Sequence, residues 1–114
     1  MTLLQILKLM AVAASILTGL YSLLKPRAIK GFTGLGADSP RATTEIRAIL
    51  GGTFIGLGLA PLLLNSNLAY QAVGITYLAI AVARAISMIV DQSVMQSNVI
   101  SLVTEVIVGV ILLI

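Results

Sequence analysis

Four long apolar stretches follow one another along the chain, at residues 2–24, 40–64, 68–90 and 97–114. A helix that crosses a bilayer needs roughly 17–25 residues, and each stretch is long enough. The apolar runs are continuous, whereas the strands of a membrane barrel alternate between apolar and polar residues. The pattern therefore predicts an all-α fold, a four-helix transmembrane bundle with an up-down-up-down course, formed as a single domain of residues 1–114.

Composition supports this class and excludes several kinds of chemistry. The chain is 59% hydrophobic and only 10% charged, against roughly 25% charged residues in soluble domains. It contains no Cys and no His, so the commonest ligands for zinc, haem iron and iron–sulfur clusters are missing. Nucleophilic thiols and imidazole bases are missing for the same reason. We therefore expect no cofactor, no metal and no catalytic residue, and we do not expect an enzyme.

Basic residues are concentrated in the first connection, residues 25–39, which carries Lys25, Arg27 and Lys30. The second connection carries no charge. The positive-inside rule then places the first and third connections in the cytoplasm and both termini on the far side. We expect residues 25–39 to form an interfacial loop. The formal net charge of +3 is explained by this flanking, and no basic stripe with interleaved aromatic residues indicates nucleic-acid binding.

Several ionisable residues interrupt the apolar helices near their cytoplasmic ends. Such groups are costly in lipid and are usually paired, turned inward or functional. Arg84 lies seven residues before Asp91 and Glu105 seven residues after Asn98. Both are roughly 10 Å inward at the helical rise, so we expect them to form a buried ion pair. Arg84, Ser87 and Asp91 share one helical stripe. We predict a polar cluster of Glu45, Arg84, Ser87, Asp91 and Glu105.

Two interpretations of this cluster remain open. It could be an ion, proton or small-ligand site, or it could be a structural network that fixes helix register. The far halves of the last three helices carry no charge, which favours the structural interpretation over a transport path. Arg47 points away from Glu45 and is expected to be an interfacial charge that reaches the lipid headgroups or Asp91.

Glycines are frequent in the second stretch. Small residues allow membrane helices to approach closely, and Gly52 and Gly56 have the Gly-x-x-x-Gly spacing. The residues expected to pack against a helix of this chain or of another protein are Gly51, Gly52, Gly56 and Gly58.

The motif residues follow the order Glu45-x-Arg47-Ala48-x-x-Gly51-Gly52, then Arg84-x-x-Ser87-x-x-x-Asp91, then Glu105. In these residues the chain resembles a bacterial family of small four-helix membrane proteins of unknown function, which is distantly similar to the DoxX-like group. The resemblance implies a four-helix bundle in a bacterial inner membrane and implies no reaction. The chain departs from that family at Ala83 and Gln92, where the family often has Gly, and at Val94, where it often has Pro.

Three functions remain in view. The first is a structural or accessory subunit of a larger membrane complex, energy-transducing or photosynthetic, with lipids and a protein partner or a homo-oligomer around it. The second is a small homodimeric proton- or ion-coupled transporter that uses Glu105 and Arg84. The third is a lipid- or quinone-binding protein, or an enzyme in which Glu105 or Asp91 acts as a base and Arg84 holds an anion.

Overall fold

A computed structural model describes all residues, 1–114. The α-helices are α1 (Leu3–Leu24), α2 (Lys30–Thr33), α3 (Pro40–Glu45), α4 (Thr53–Leu64), α5 (Asn67–Val90) and α6 (Gln96–Leu113). A 3-10 helix at Pro26–Ile29 precedes α2, and a π-helix at Ile46–Gly52 joins α3 to α4. The chain has no strand, so the predicted all-α class is confirmed.

Four helical segments are long and apolar enough to cross a membrane, as a multi-pass membrane protein requires: Leu3–Leu24, Pro40–Leu64, Asn67–Val90 and Gln96–Leu113. Many of their large apolar side chains are exposed, including Leu17, Ile86 and Ile107. In water such surfaces would drive aggregation, whereas lipid is as apolar as they are. We call Pro40–Leu64 the second span.

The connection between the first two spans is partly helical, although the sequence indicated only a loop there. Pro26 starts the 3-10 helix, where its missing N–H costs nothing. Helix α2 ends at Gly34, whose φ of 77° lies in the left-handed region that glycine adopts without strain. Ser39 then caps α3 by accepting a hydrogen bond from the Ala42 N–H, and Pro40 occupies the first helical position.

The second span is not a uniform α-helix. Its π-helix, Ile46–Gly52, coincides with the Arg47-to-Gly52 part of the motif noted above. Wide π turns are rare and are found disproportionately at functional sites. The residues here are almost all apolar and offer no periodicity from which a change of helix type could be predicted.

The chain divides into two compact units, which are described separately. The loop unit is Val12–Leu64, and the ion-pair unit is Met1–Ala11 together with Asn65–Ile114. The expected single domain of residues 1–114 stays a prediction. Each unit is built on one antiparallel helix pair.

In the loop unit, α1 packs closely on the second span. A methyl group added to Gly19 would lie 2.5 Å from the Gly51 carbonyl oxygen, and one added to Gly58 would lie 2.6 Å from the Val12 carbonyl oxygen. The buried Ser15 hydroxyl donates a hydrogen bond to the Phe54 carbonyl at 2.9 Å. These contacts need glycine at the crossing points, because any larger residue would push the backbones apart.

In the ion-pair unit, α5 packs on α6 in the same manner. A methyl group at Gly74 would lie 2.8 Å from the Gly109 carbonyl oxygen. At the same end of the unit, the buried Lys8 ammonium donates to the Asn67 side-chain oxygen at 3.2 Å. It also lies 5.9 Å from the centre of the Tyr70 ring, within the range of a cation–π contact.

Candidate functional site: a buried ion pair beside a polar cavity

Arg84 and Glu105 form a two-pronged ion pair between α5 and α6. Arg84 Nε donates to Glu105 Oε1 and Nη2 donates to Oε2, each at 2.8 Å. The Glu105 side chain is 10% exposed and that of Arg84 31%. This fork geometry is the strongest arrangement available to an arginine and a carboxylate. The two residues expected to pair therefore do so in the structure.

Asn98 extends the pair into a network. Its side-chain oxygen accepts a hydrogen bond from Arg84 Nη1 at 2.9 Å, and its amide nitrogen donates to the Ser93 carbonyl at 2.9 Å. Asn98 is not among the cluster residues predicted from the sequence. A signal was present, because Asn98 lies seven residues before Glu105 and so projects from the same face of α6 two turns away.

The network is internally satisfied. Three nitrogens of Arg84 donate to Glu105 or Asn98, and no buried side-chain nitrogen or oxygen in the chain lacks a hydrogen-bond partner. An unpaired charge at this depth would cost several kcal/mol. The pair also cancels its own charge, so this network presents no uncompensated acid or base.

A cavity of about 390 Å³ adjoins the ion pair. Its polar lining comes from Arg84, Ser87, Asp91, Ser93 and Asn98. Asp91 ends α5, its side chain forms no ion pair, and its N–H donates to the Ser87 carbonyl at 2.7 Å. The cavity thus offers one exposed carboxylate and an amide beside an already neutralised arginine.

The structure gathers four of the five expected cluster residues around this cavity and the ion pair beneath it: Arg84, Ser87, Asp91 and Glu105. Glu45 belongs to the loop unit. There it pairs with Arg41 one helical turn earlier, and both side chains are exposed. Participation of Glu45 in the cluster stays a prediction.

Arg47 lies in the π-helix and its Nε donates to the Leu23 carbonyl at 3.1 Å. That carbonyl is among the last four of α1, which have no partner within the helix. Arg47 therefore ties the start of the second span to the end of α1, and its expected reach to lipid headgroups or Asp91 stays a prediction.

The glycines of the second span separate into two sets. Gly51 and Gly58 are buried against α1, whereas a methyl group at Gly52 or Gly56 would meet no atom within 4 Å. The Gly52-x-x-x-Gly56 spacing is therefore not used for packing within the loop unit. It leaves a strip of exposed backbone on the second span.

The acidic residues do not form a group that could hold a metal ion. Among known proteins, residues 3–114 match the family model described as "Domain of unknown function (DUF4345)". No curated protein and no solved structure matches the chain. The expected likeness to the DoxX-like group has no support from these comparisons and stays a prediction.

Proposed function

Since the chain belongs to the DUF4345 family, whose function is unknown, we propose a role from its own geometry: a structural or accessory subunit that packs within a larger membrane complex. An energy-transducing or photosynthetic complex is the kind expected. The observation that carries the proposal is the closed network of Arg84, Glu105 and Asn98. A network whose groups satisfy one another stabilises one helix register and leaves no charge free to move.

The distribution of charge supports this role. In α5 no charged residue precedes Arg84, and in α6 none follows Glu105. A proton or ion path would need further polar groups across the remaining depth. Charge in α5 and α6 is thus confined to one end of the two helices, which suits packing better than conduction.

The exposed strip at Gly52 and Gly56 supports a partner in the membrane. Small residues with this spacing let a second helix approach closely in lipid. Gly51 and Gly58 already serve the contact with α1, so Gly52 and Gly56 have no packing role within the loop unit that would explain them.

Native purification tests the proposal. The full chain is extracted in a mild detergent and the co-migrating proteins are identified by mass spectrometry. We expect Gly52→Leu/Gly56→Leu to lose the co-migrating protein without a lower unfolding temperature. The matched control, Val82→Leu, enlarges an exposed residue on α5 and should keep the partner. Recovery of the wild-type chain only as a free monomer or homo-oligomer would contradict the proposal.

A small proton- or ion-coupled transporter is the second candidate, and the cavity beside Arg84 favours it. Ser87 and Asp91 line that cavity and could take up a small cation or polar solute. Proton movement in proteoliposomes that contain the wild type or Glu105→Gln tests this candidate. Substrate-dependent proton movement that Glu105→Gln abolishes would support this candidate, and no movement in either sample would eliminate it.

The proposed location is a bacterial inner membrane with residues 25–39 in the cytoplasm, supported by the basic residues there. The chain has no Cys, so a single introduced cysteine reports its own side. An impermeant maleimide added to intact cells should label Ser66→Cys and leave Asp38→Cys unlabelled. Labelling of Asp38→Cys from outside would reverse the orientation.

A further inference from the structure

A second and larger cavity, of about 800 Å³, lies in the loop unit. Leu24, the last residue of α1, and Pro40, the first residue of the second span, both line it. It is therefore located where two spanning segments leave the apolar layer. Lipid phosphates lie at that level, outside the hydrocarbon core.

Three cationic side chains line this cavity, Lys25, Arg27 and Arg47. Lys25 and Arg27 are exposed and form no ion pair. Arg47 uses Nε on the Leu23 carbonyl, which anchors the guanidinium and leaves its two terminal nitrogens as donors. The cavity therefore carries positive charge that the chain itself does not neutralise.

The one carboxylate in the lining, Asp38, offsets only part of this charge. Asp38 lies 3.8 Å from the Lys30 ammonium, which is outside the cavity lining. The remaining basic residue nearby, Arg41, pairs with Glu45 and also lies outside the lining. The basic residues near the cavity are thus of two kinds. Lys30 and Arg41 form ion pairs and lie outside the lining, whereas Lys25, Arg27 and Arg47 line the cavity and form no ion pair.

The other lining groups suit an amphipathic ligand. The Thr43 and Thr44 hydroxyls already donate to the Ser39 and Pro40 carbonyls, so recognition falls to the cations. Leu24 is 71% exposed and forms part of an apolar wall with Pro26. A soluble anion has no use for such a wall, whereas the glycerol and first acyl carbons of a lipid would cover it.

We propose that this cavity binds the phosphate of an anionic phospholipid between Lys25, Arg27 and Arg47. Arginine side chains suit phosphate because their donors match its oxygens. Clusters of basic residues beside a membrane span attract anionic lipids. Each basic residue near the surface is expected to raise the affinity for such a lipid about fivefold. The site differs from a diffuse basic loop because Arg41, equally charged and nearby in sequence, is predicted not to contribute.

Electron spin resonance of the full chain in phosphatidylcholine vesicles tests the site. Spin-labelled phosphatidylglycerol and spin-labelled phosphatidylcholine are compared as probes, and the ratio of their association constants is measured. We expect the wild type to prefer phosphatidylglycerol, Arg27→Gln to lower the ratio about fivefold, and Arg41→Gln to leave it unchanged. Asp38→Asn should raise the ratio, because it removes the carboxylate from the lining.

The contrary outcomes are equally specific. An equal decrease in Arg27→Gln and Arg41→Gln would show a diffuse charge effect and overturn the site. No preference in the wild type would do the same. Displacement of the labelled phosphatidylglycerol by millimolar inorganic phosphate, against chloride at matched ionic strength, would show a free-anion site and overturn the assignment to lipid. Arg27 is exposed and forms no side-chain hydrogen bond or ion pair, so its variant is expected to fold normally.

Discussion

The loop unit and the ion-pair unit pack their helices in the same way but differ in where their charged residues lie. In both, two antiparallel helices cross at glycine, at Gly19 and Gly51 in one and at Gly74 and Gly109 in the other. In the ion-pair unit Arg84 and Glu105 lie within the spans and pair across α5 and α6, and the buried Lys8 ammonium binds the Asn67 side-chain oxygen. In the loop unit the charged residues lie at the helix ends and are exposed.

This difference shows what each kind of contact contributes. Glycine contacts allow close approach, and lipid supplies little preference for one register over another. In the ion-pair unit the register of α5 on α6 is set by a fork that fits only one alignment of Arg84 and Glu105. In the loop unit main-chain acceptors take that role, with Ser15 bound to Phe54 and Arg47 bound to Leu23.

Removing the buried carboxylate should have the largest effect. Glu105→Ala leaves the Arg84 guanidinium without its counter-charge, and breaking a buried pair in this way costs about 3 kcal/mol. Unfolding of the reconstituted protein by denaturant measures the loss. The control is Glu45→Ala, which breaks an exposed pair and should barely move the unfolding midpoint. Equal losses in the two variants would erase the distinction between the units.

Enlarging a crossing glycine should come next. Gly74→Ala places a methyl group 2.8 Å from a backbone oxygen, which must force the helices apart at a cost of about 1–3 kcal/mol. The same measurement on Gly52→Ala should show no loss, because that methyl group meets open space. If Gly52→Ala were the more damaging change, the assignment of glycine faces would be wrong.

Side-chain amides and hydroxyls that fix register should matter less. Asn98→Ala removes one hydrogen bond to Arg84 and one to the Ser93 carbonyl, so we expect a loss of about 1–2 kcal/mol. Ser15→Ala removes one bond to Phe54 and should cost about 1 kcal/mol. An unchanged unfolding free energy in Asn98→Ala would mean that only Arg84 and Glu105 contribute to the stability of the network.

The smallest expected effect is a gain in stability at Gln92. Gln92 follows α5 with φ of 51°, a left-handed conformation that costs an ordinary residue about 1 kcal/mol. Gln92→Gly should therefore raise the unfolding free energy by up to about 1 kcal/mol. Asn65 has a similar φ of 47°, but asparagine tolerates it, so Asn65→Gly should change little. A loss in Gln92→Gly would contradict this explanation.

Much of the fold was predictable, because apolar length alone locates spanning helices. Depth counting along two helices was enough to pair Arg84 with Glu105. Gln92 occupies a left-handed position, so a glycine there, which the resemblance implies for related chains, would be free of strain.

Other features were not accessible from the pattern. Asn98 was not predicted because, apart from Ser87, only charged side chains were considered within the spans. The π-helix lies in a segment apolar on nearly every side, where no periodicity distinguishes helix types. The pairing of Glu45 with Arg41 could have been predicted, because the two residues are four apart on one helix and oppositely charged.

We conclude that Arg84 and Glu105 act on each other as a structural lock, and one double variant can decide whether they do. Arg84→Met/Glu105→Leu replaces the pair by apolar side chains, an exchange that is often neutral or stabilising for a buried pair. We predict that its unfolding free energy lies within about 1 kcal/mol of the wild type while each single variant loses about 3 kcal/mol. A double variant as unstable as the singles, or worse, would contradict the account.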